Sequence, residues 1–586
     1  MCRACVSHLI TNALNFGLQA ATPSRRQFMA YGAGAAALTM AASRAAFAAD
    51  SGADTIFRNG TILPMAGPHH AVEAIAVGGG GKILAVGSDA EIAGLKTSAT
   101  KIVDLQGRTL LPGFVDPHHH TCGAALFAEL LTDVGYTKYP TRAALTEALR
   151  AMAAKTPPGQ WIIGCNFDNL LQGGDFSMTE LDAISTDHPI FIWYVNMHDA
   201  AANAAAFRLA KIPDDVGVLP GGGHFGRGPD GKFNGLVYEE PAMLKFVMLA
   251  VPPITPQLVG KALVDYTRQV AAAGNTTLHE PGTIMPEWVE SLAKLSNSLS
   301  IRMSASLMAD AIEASKAFAA LGVGARATHF PNSRFSLYGI KIVGDGSNQT
   351  ETGAQTRPYL KSASKGATNF SAAEFKQMCA AAKAVGWPIQ IHCNGDATID
   401  DALNAIEAVY GAHSSHGVNR IEHSTMARPD QIARMKALGV QPSFLMNHVF
   451  LYGAAYRDQL FGPERAAFMD PAAACVHEGV PFTLHTDAPC SPVGPLRLIQ
   501  AAVTRRCEID KSIVGHAQAI SVAHALKATT IDAARQIGLG DTIGSLEKGK
   551  EGDLVILESD PFKVDPDTIM AIKVSETWVG GAKMFG

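Results

Sequence analysis

Residues Leu110–His120 read LLPGFVDPHHH. This stretch begins as a short apolar run rich in branched and aromatic residues, which is typical of a buried strand, and it ends in three adjacent histidines. Because alternate residues of a strand share a face, we expect His118 and His120 to point the same way and His119 to point away. Two imidazoles on one face could bind one metal ion; a run of histidines alone could equally be a surface feature or a weak adventitious metal site.

The length and composition are those of a globular protein larger than one ordinary domain. The chain has 586 residues, of which 47% are hydrophobic and 17% are charged, so it can bury a large core. A formal net charge of -5, without a long basic run outside the N-terminus, gives no support for nucleic-acid binding. The nine cysteines show no repeated spacing, and Cys2 and Cys5 have no second pair with which to form a zinc knuckle.

The N-terminus predicts a targeting segment. Ser24–Met29 reads SRRQFM, a twin-arginine pattern, and an Ala/Gly-rich run over residues 30–42 and small residues at Ala46 and Ala48 follow it. We interpret residues 1–48 as a twin-arginine signal peptide and expect a periplasmic or secreted protein; the alternative is an amphipathic helix of the mature chain. The apolar run is too short for a stable membrane anchor. Without this segment seven cysteines remain, an odd number, so at least one should be free or intermolecular.

Short strands flank the main part of the chain. Residues 54–105 alternate apolar and polar side chains between Gly-rich turns, and the same texture returns in Leu554–Leu557 and in residues 571–579. Neither region is large enough to be stable alone. We therefore predict one composite β-sandwich from residues 49–109 and 540–586.

Between these regions strands alternate with helices, such as those predicted over residues 374–385 and 429–438. Counting the opening stretch, there are eight candidate strands, the others at 276–280, 300–305, 336–342, 388–392, 420–423, 440–445 and 482–487. Eight strand–helix units predict an α/β fold, a (β/α)8 TIM barrel over residues 110–539, with its chemistry at the C-terminal ends of the strands.

One segment is too long for a minimal barrel. Residues 124–253 separate the first two strands by much more than a helix and contain a predicted strand of their own, Ile190–Val195. We predict an inserted subdomain over the mouth of the barrel. Such insertions serve as lids or specificity elements, and the sequence equally allows a role in stability.

Polar side chains lie at the ends of five of the predicted strands, and each is a candidate metal ligand: His118, His120, Lys341, His392, His423 and Asp487. A single strand histidine is readily satisfied by a core hydrogen bond, and Lys341 could simply alternate outward. Together, however, these side chains would place several buried polar groups at one rim, and each group would need its own hydrogen-bond partner. One metal centre accounts for all of them.

These motifs resemble those of the amidohydrolase superfamily and, within it, the amidohydrolase 3 or YtcJ-like branch. The similarity runs from about residue 54 to the C-terminus. It rests on PGFVDxHxH at 112–120, KIVGDGS at 341–347, HCNGD at 392–396, RIEH at 420–423, TDAP at 486–489, ALKATTIDAA at 525–534 and GSLEKGKEGDL at 544–554.

The resemblance implies a binuclear metal centre. His118, His120 and Asp487 would bind one divalent ion, His392 and His423 the other, and Lys341 would bridge both as a carbamate formed with carbon dioxide. The ligands favour zinc without excluding manganese, iron or cobalt. Two cations would convert a water to hydroxide at neutral pH, and Asp487 would take its proton and pass it to the leaving nitrogen.

Three further histidines are candidates for contact with the substrate. His198 lies in a stretch similar to the G-H-x-x-x-x-N region of the branch, with Met197 in place of the glycine, and either contacts substrate or caps a turn. His279, followed by Glu280, either contacts substrate or supports a ligand. His485 alternates with Asp487 and should line the site or orient a ligand. The branch also carries a glutamate near Glu239 and Glu240, and the sequence does not tell which of the two corresponds.

We therefore hypothesise a metal-dependent hydrolase that cleaves a C–N amide-type bond, such as that of an N-acyl or N-formyl amine. One alternative is a deaminase of the same superfamily, against which Lys341 and the glycine at Gly395, where those enzymes carry a glutamate, both argue. The other is a catalytically idle barrel that binds metal. The expected partner is a small-molecule substrate, with no nucleic acid and no stable membrane anchor. The sequence leaves the substrate's identity and homo-oligomerisation open.

Overall fold

The structure is a computed structural model that describes residues 52–67, 70–219, 222–282, 288–309, 328–330, 332–414 and 416–586. The predicted signal peptide, residues 1–48, lies outside the described residues. Within the described ranges, no helix combines the length and the apolar character needed to cross a membrane. The seven cysteines of these ranges are all free thiols.

A barrel of parallel strands lies at the centre of the molecule, which confirms the predicted fold class. Its strands pair in chain order, and we number them from first to eighth: Phe114–Asp116, Asn275–Pro281, Arg302–Met308, Phe335–Val343, Ile389–Cys393, Arg420–His423, Gln441–Phe444 and Thr483–Leu484. The fourth barrel strand is buried over its whole length. The hydrophobic side chains of these strands therefore face packed protein on both sides, as expected for a parallel sheet covered by helices.

The barrel closes between its eighth and first strands through loop backbone and side chains rather than a regular ladder. The backbone N–H of Asp487 donates to the carbonyl of His118 at 3.0 Å, and that of His120 donates to the carbonyl of Ala488 at 2.9 Å. The Thr486 hydroxyl donates to the buried Asp116 carboxylate at 2.5 Å. Closure thus brings the histidine run directly against the Asp487 loop.

The apolar run at the start of Leu110–His120 is divided between two sheets, whereas the sequence suggested one continuous strand. Thr109–Pro112 belongs to the terminal sheet described below, and only Phe114–Asp116 belongs to the barrel. The chain changes sheet at Gly113, where an added Cβ would lie 2.1 Å from the Thr276 side chain, so glycine is required by this close approach. The histidines consequently lie just after the strand and not within it.

Helices cover the outside of the barrel. Ala372–Ala384 begins at a capping box formed by Ser371 and Glu374, and Pro429–Leu438 ends at the left-handed Gly439. The remaining helices of the barrel region are Thr121–Leu130, Pro256–Ala272, Val289–Leu295, Asp396–Tyr410, Asn447–Ala455, Gly462–Ala466, Ala472–Glu478, Pro495–Thr504, Val522–Ala528 and Ile531–Gln536.

The N- and C-terminal regions of the described chain join in one eight-stranded sheet. Thr109–Pro112 pairs antiparallel with Leu554–Leu557, and the rings of Phe57 and Trp578 meet edge-on with centroids 5.1 Å apart in its core. Arg302 of the third barrel strand ties this sheet to the barrel, because its guanidinium donates to Asp553 at 2.7 Å. The other strands are Thr55–Ile62, Val72–Gly78, Lys82–Gly87, Lys101–Asp104, Val574–Val579 and Ala582–Phe585, and the helix Asp89–Ala93 packs beside them.

The segment between the first two barrel strands contains a six-stranded sheet of its own. Its strands are Thr132–Asp133, Ile162–Phe167, Ile190–Tyr194, Asp199–Ala202, His224–Arg227 and Phe233–Tyr238. The helices Arg142–Lys155, Met178–Asp182, Ala204–Leu209 and Glu240–Ala250 accompany it. The loop that follows Phe167 reaches the mouth of the barrel, where Asp168 contacts Tyr452.

Candidate metal centre

The two outer histidines of the run converge on one carboxylate. Nε2 of His118 lies 3.3 Å and Nε2 of His120 lies 3.4 Å from Oδ1 of Asp487. His119 points the other way, and its Nε2 lies 3.1 Å from the hydroxyl of Tyr266. The alternation expected for a strand therefore persists beyond the strand's end.

The buried carboxylate of Glu422, which was not among the predicted site residues, orients His118. Nδ1 of His118 lies 2.6 Å from Oε2 of Glu422, and Arg420 donates to the same oxygen at 2.8 Å. All three side chains are fully buried. The signal was available, because Arg420 and Glu422 alternate with Ile421 along the sixth strand and must share a face. The Glu422 contact leaves Nε2 of His118 as the atom that faces Asp487.

His120 has a second acid on its far side. Its Nδ1 lies 3.4 Å from Oε1 of Glu280, whose other oxygen accepts the backbone N–H of Cys122 at 2.9 Å. Burial lowers the pKa of His120, but the neighbouring carboxylates of Asp487 and Glu280 outweigh it, so that the net shift is upward.

His423 and His485, at the ends of the sixth and eighth strands, lie edge to face, with ring centroids 5.0 Å apart. Nδ1 of His423 lies 3.1 Å from Nε2 of His485, whose Nδ1 in turn lies 2.8 Å from the Ser443 hydroxyl. Nδ1 of His423 is also 3.9 Å from Oδ2 of Asp487. Both His423 and Asp487 have a positive φ, 66° and 55°, a strained conformation that aims their side chains toward one another at the rim.

His392, at the end of the fifth strand, lies beside His423 with ring centroids 4.5 Å apart. Its Nε2 lies 3.1 Å from the carbonyl of Gly346 and 3.3 Å from Oδ1 of Asp345. Asp345 is itself fixed by backbone N–H groups, including that of Gly395 at 2.9 Å. The loops that carry the motifs at 341–347 and 392–396 are thus hydrogen-bonded to each other beside His392.

Lys341 is buried in the fourth strand, among the histidines. Burial lowers the pKa of its amine to about 8, although the carboxylates of Glu422 and Asp487 favour the charged form. The charge of Lys341 is, after burial, the largest influence that lowers the pKa of His118. Gly282 makes room for this lysine, because an added Cβ there would lie 2.7 Å from that of Lys341 and its φ is +90°.

The residues present fit a bound cation. Three buried atoms at the rim have no hydrogen-bond partner among the described residues: Nε2 of His118, Nε2 of His423 and Oδ1 of Asp487. Ligand atoms of His118, His120 and Asp487 lie within 4.8 Å of one another, and so do those of His118, His423 and His485. Burial holds the pKa of His118, His423 and His485 well below the usual range, so their imidazoles are neutral, which is the form that binds metal.

The three histidines predicted to contact substrate lie in different places. His485 joins the cluster and supports His423. His279 lies inside the barrel between Ser304 and Gln390, at 3.0 and 3.1 Å from their oxygens. His198 lies in the inserted sheet, where its Nδ1 is 3.2 Å from the Glu239 carboxylate. For all three, contact with a substrate stays a prediction.

A cavity of about 40 Å³ opens onto the cluster and is large enough for a few water molecules. His392, His423 and Asp487 line this cavity together with Asp168, His448 and Tyr452. A larger cleft of about 680 Å³ lies beyond, sharing Asp168 and Tyr452 as its wall. The inserted segment therefore helps to enclose the site. Its sequence alone did not indicate which of its residues do so.

A parallel barrel with a rim of imidazoles and carboxylates defines a metal-dependent hydrolase of the barrel type. The amidohydrolase family model matches residues 101–585, which is most of the chain. The protein belongs to the amidohydrolase family, and the resemblance inferred from its motifs is confirmed.

Individual relatives are distant but match over most of their length. The chain is 26% identical over 549 residues to N-substituted formamide deformylase of Arthrobacter pascens, covering 90% of this chain and 97% of that protein. It is 24% identical over 497 residues to the putative amidohydrolase YtcJ of Bacillus subtilis, covering 82% and 90%. A crystal structure of an uncharacterised metal-dependent hydrolase from Pyrococcus horikoshii shares the fold, with a TM-score of 0.68, 22% identity and coverage of 87% and 99%.

Proposed function

We propose that this protein hydrolyses the C–N bond of a small amide, such as an N-formyl or N-acyl amine, with the help of two bound divalent ions, most suitably zinc. The observation that supports this proposal is the cluster of buried atoms on His118, His423 and Asp487 that have no hydrogen-bond partner among the described residues. A hydrogen-bonded core would have paired them, because an unpaired buried polar group costs about 1–3 kcal/mol.

His118, His120 and Asp487 would hold one ion, and His392 and His423 the other. Lys341 would join them as a carbamate, since it is the buried amine that lies among these ligands and a carbamate presents two anionic oxygens. Bound ions would supply Lewis acidity, which lowers the pKa of a nearby water and polarises an amide carbonyl.

Side chains of the protein would transfer the proton and hold the metal ligands in position. Asp487 faces the cavity, and its Oδ1 has no hydrogen-bond partner in the part of the chain that the structure describes, so it is placed to accept a proton from water and to return it to the leaving nitrogen. Glu422 fixes the orientation of His118, and His485 that of His423, as outer carboxylates and imidazoles do for metal ligands. The small cavity would exclude bulk water from the reaction.

The loop after the fifth strand disfavours deamination, the alternative reaction. A Cβ at Gly395 would lie 1.8 Å from the carbonyl oxygen of Ala354, so the glutamate expected of a deaminase could not stand there without a rearrangement of the loop. The name of the Arthrobacter relative, a deformylase of N-substituted formamides, favours the N-formyl class for this chain.

The test combines metal analysis with a substrate panel. The purified protein should contain two divalent ions per chain and cleave N-substituted formamides or acetamides, with the loss of activity on chelation restored by zinc. One ion with ammonia release from an aminated ring would instead indicate a deaminase. Bound metal without turnover across amides and esters would indicate an idle barrel.

We also propose that the protein acts in the periplasm after twin-arginine export, on a small molecule and without nucleic-acid or stable membrane partners. The twin-arginine pattern at Ser24–Met29 supports the export route. Fractionation of cells carrying an Arg25→Lys, Arg26→Lys double variant tests it, because the variant should stay in the cytoplasm. Unchanged periplasmic recovery of the variant would contradict this route.

A further inference from the structure

His448 is a buried histidine of the cavity wall that the mechanism above does not use. It lies in the first turn of the helix Asn447–Ala455, just after the seventh barrel strand, and lines the same cavity as His392, His423 and Asp487. Only 3% of its surface is exposed, so its two ring nitrogens meet the protein or the cavity.

A chain of hydrogen bonds determines which nitrogen of His448 carries the hydrogen. The side-chain amide of Asn394 donates from Nδ2 to the carbonyl of Gly346 at 2.9 Å, which leaves Oδ1 as an acceptor. The Thr425 hydroxyl lies 3.0 Å from that Oδ1 and must use its single hydrogen there. Oγ1 of Thr425 also lies 3.1 Å from Nδ1 of His448, and this contact can be a hydrogen bond only if Nδ1 donates.

The hydrogen on Nδ1 leaves a lone pair on Nε2, because burial lowers the pKa of His448 to about 3 and keeps the ring neutral. No described residue forms a hydrogen bond with Nε2 of His448. A bare acceptor at this wall can bind an N–H donor and cannot donate to a carbonyl oxygen. In an amide substrate, the matching group is the N–H of the amide itself.

We propose that Nε2 of His448 accepts a hydrogen bond from the N–H of the scissile amide, and that His448 therefore selects secondary amides over N,N-disubstituted ones. This inference rests on the proposed amide hydrolysis. A site built to accept one hydrogen bond discriminates against an analogue that lacks the donor, because the buried acceptor is then left unpaired.

The experiment compares kcat/KM for an N-alkyl formamide and for its N-methylated counterpart, using the metal-loaded wild-type enzyme. The wild type should prefer the secondary amide by about tenfold or more. His448→Phe, which keeps a ring but removes the acceptor, should lose activity on the secondary amide and bring the ratio close to one. His448→Gln, which restores an acceptor oxygen, should recover part of the preference.

A second pair of variants tests the tautomer without changing His448. Thr425→Val removes the oxygen that holds the hydrogen on Nδ1 and should reduce the preference, whereas Thr425→Ser keeps the hydroxyl and should retain it. Metal content and the midpoint of thermal unfolding, measured for each variant, separate this effect from a failure to fold.

The outcomes distinguish the two proposals. If the wild type cleaves neither amide, both the proposed function and this inference are overturned. If it cleaves both with equal efficiency, or if His448→Phe keeps the wild-type ratio, the role of His448 is overturned while amide hydrolysis stands.

Discussion

The hydroxyl of Tyr452 donates to Oδ2 of Asp168 at 2.5 Å, and both side chains are buried. This bond joins the helix after the seventh barrel strand to the inserted segment, and it forms the wall between the cavity of the metal centre and the outer cleft. The inserted segment is thus fastened to the barrel at the point where a substrate would have to enter.

Tyr452→Phe should weaken the contact between the inserted segment and the barrel. The substitution leaves one oxygen of a buried carboxylate without its donor, which we expect to cost about 1–3 kcal/mol of the free energy of unfolding. Denaturant unfolding of Tyr452→Phe, Asp168→Asn and the double variant measures the coupling between the two residues. Strictly additive losses would show that the two side chains do not stabilise one another.

Asp168 should also give the stability of the protein a pH dependence. Burial raises the pKa of this carboxyl from 3.8 to about 6, although the hydrogen bonds from Tyr452 and from backbone N–H groups oppose the rise. Between those values the folded protein keeps a proton that the unfolded chain has released, so the free energy of unfolding falls as the pH rises. The full effect is roughly 3 kcal/mol. The difference in stability between wild type and Asp168→Asn, followed from pH 4 to pH 7, should show this decline; a flat difference would contradict it.

Lys341→Ala should lose metal and activity together if the lysine bridges the ions. Short carboxylic acids added to the variant should restore part of both, because a free carboxylate can occupy the place of the carbamate. Metal content per chain and kcat measure the effect, with Lys376→Ala on the exposed face of a barrel helix as the control. A variant with full metal content and unchanged turnover would remove the bridge from the mechanism.

Asp487→Asn should lower kcat by about a thousandfold or more, because it removes both a ligand and the proposed proton acceptor. The backbone bond from Asp487 to the carbonyl of His118 does not depend on the side chain, so we expect the variant to fold. Its circular dichroism spectrum and unfolding midpoint check this. A rate within tenfold of the wild type would contradict the assigned role.

The sequence was sufficient for the barrel and for the convergence of His118, His120 and Asp487, because each lies just after a recognisable apolar strand. It was not sufficient for the lengths of the terminal barrel strands. The eighth spans only Thr483–Leu484, since hydrogen bonds from the loop, such as that from Thr486 to Asp116, replace its ladder. When loop hydrogen bonds replace a strand ladder in this way, the sequence shows no periodic pattern.

The surroundings of the ligands were harder to predict than the ligands. Glu422 could have been found from alternation along its strand, as an inward residue beside a metal-site histidine. By contrast, the approach of Asp168 to Tyr452 joins residues 284 positions apart through two loops, and no spacing rule connects them. Loop positions of this kind depend on packing of the whole fold.

The antiparallel pairing of Thr109–Pro112 with Leu554–Leu557 has a consequence for biosynthesis. The segment that leads into His118 finds its neighbour only after residue 557 has emerged from the ribosome. Until then the nascent chain lacks one side of the sheet that anchors the entrance to the barrel. The entrance to the barrel should therefore reach its final form only after residues 554–557 have been made, and a chain that stalls before residue 554 should lack this anchor however many of the histidines it already contains.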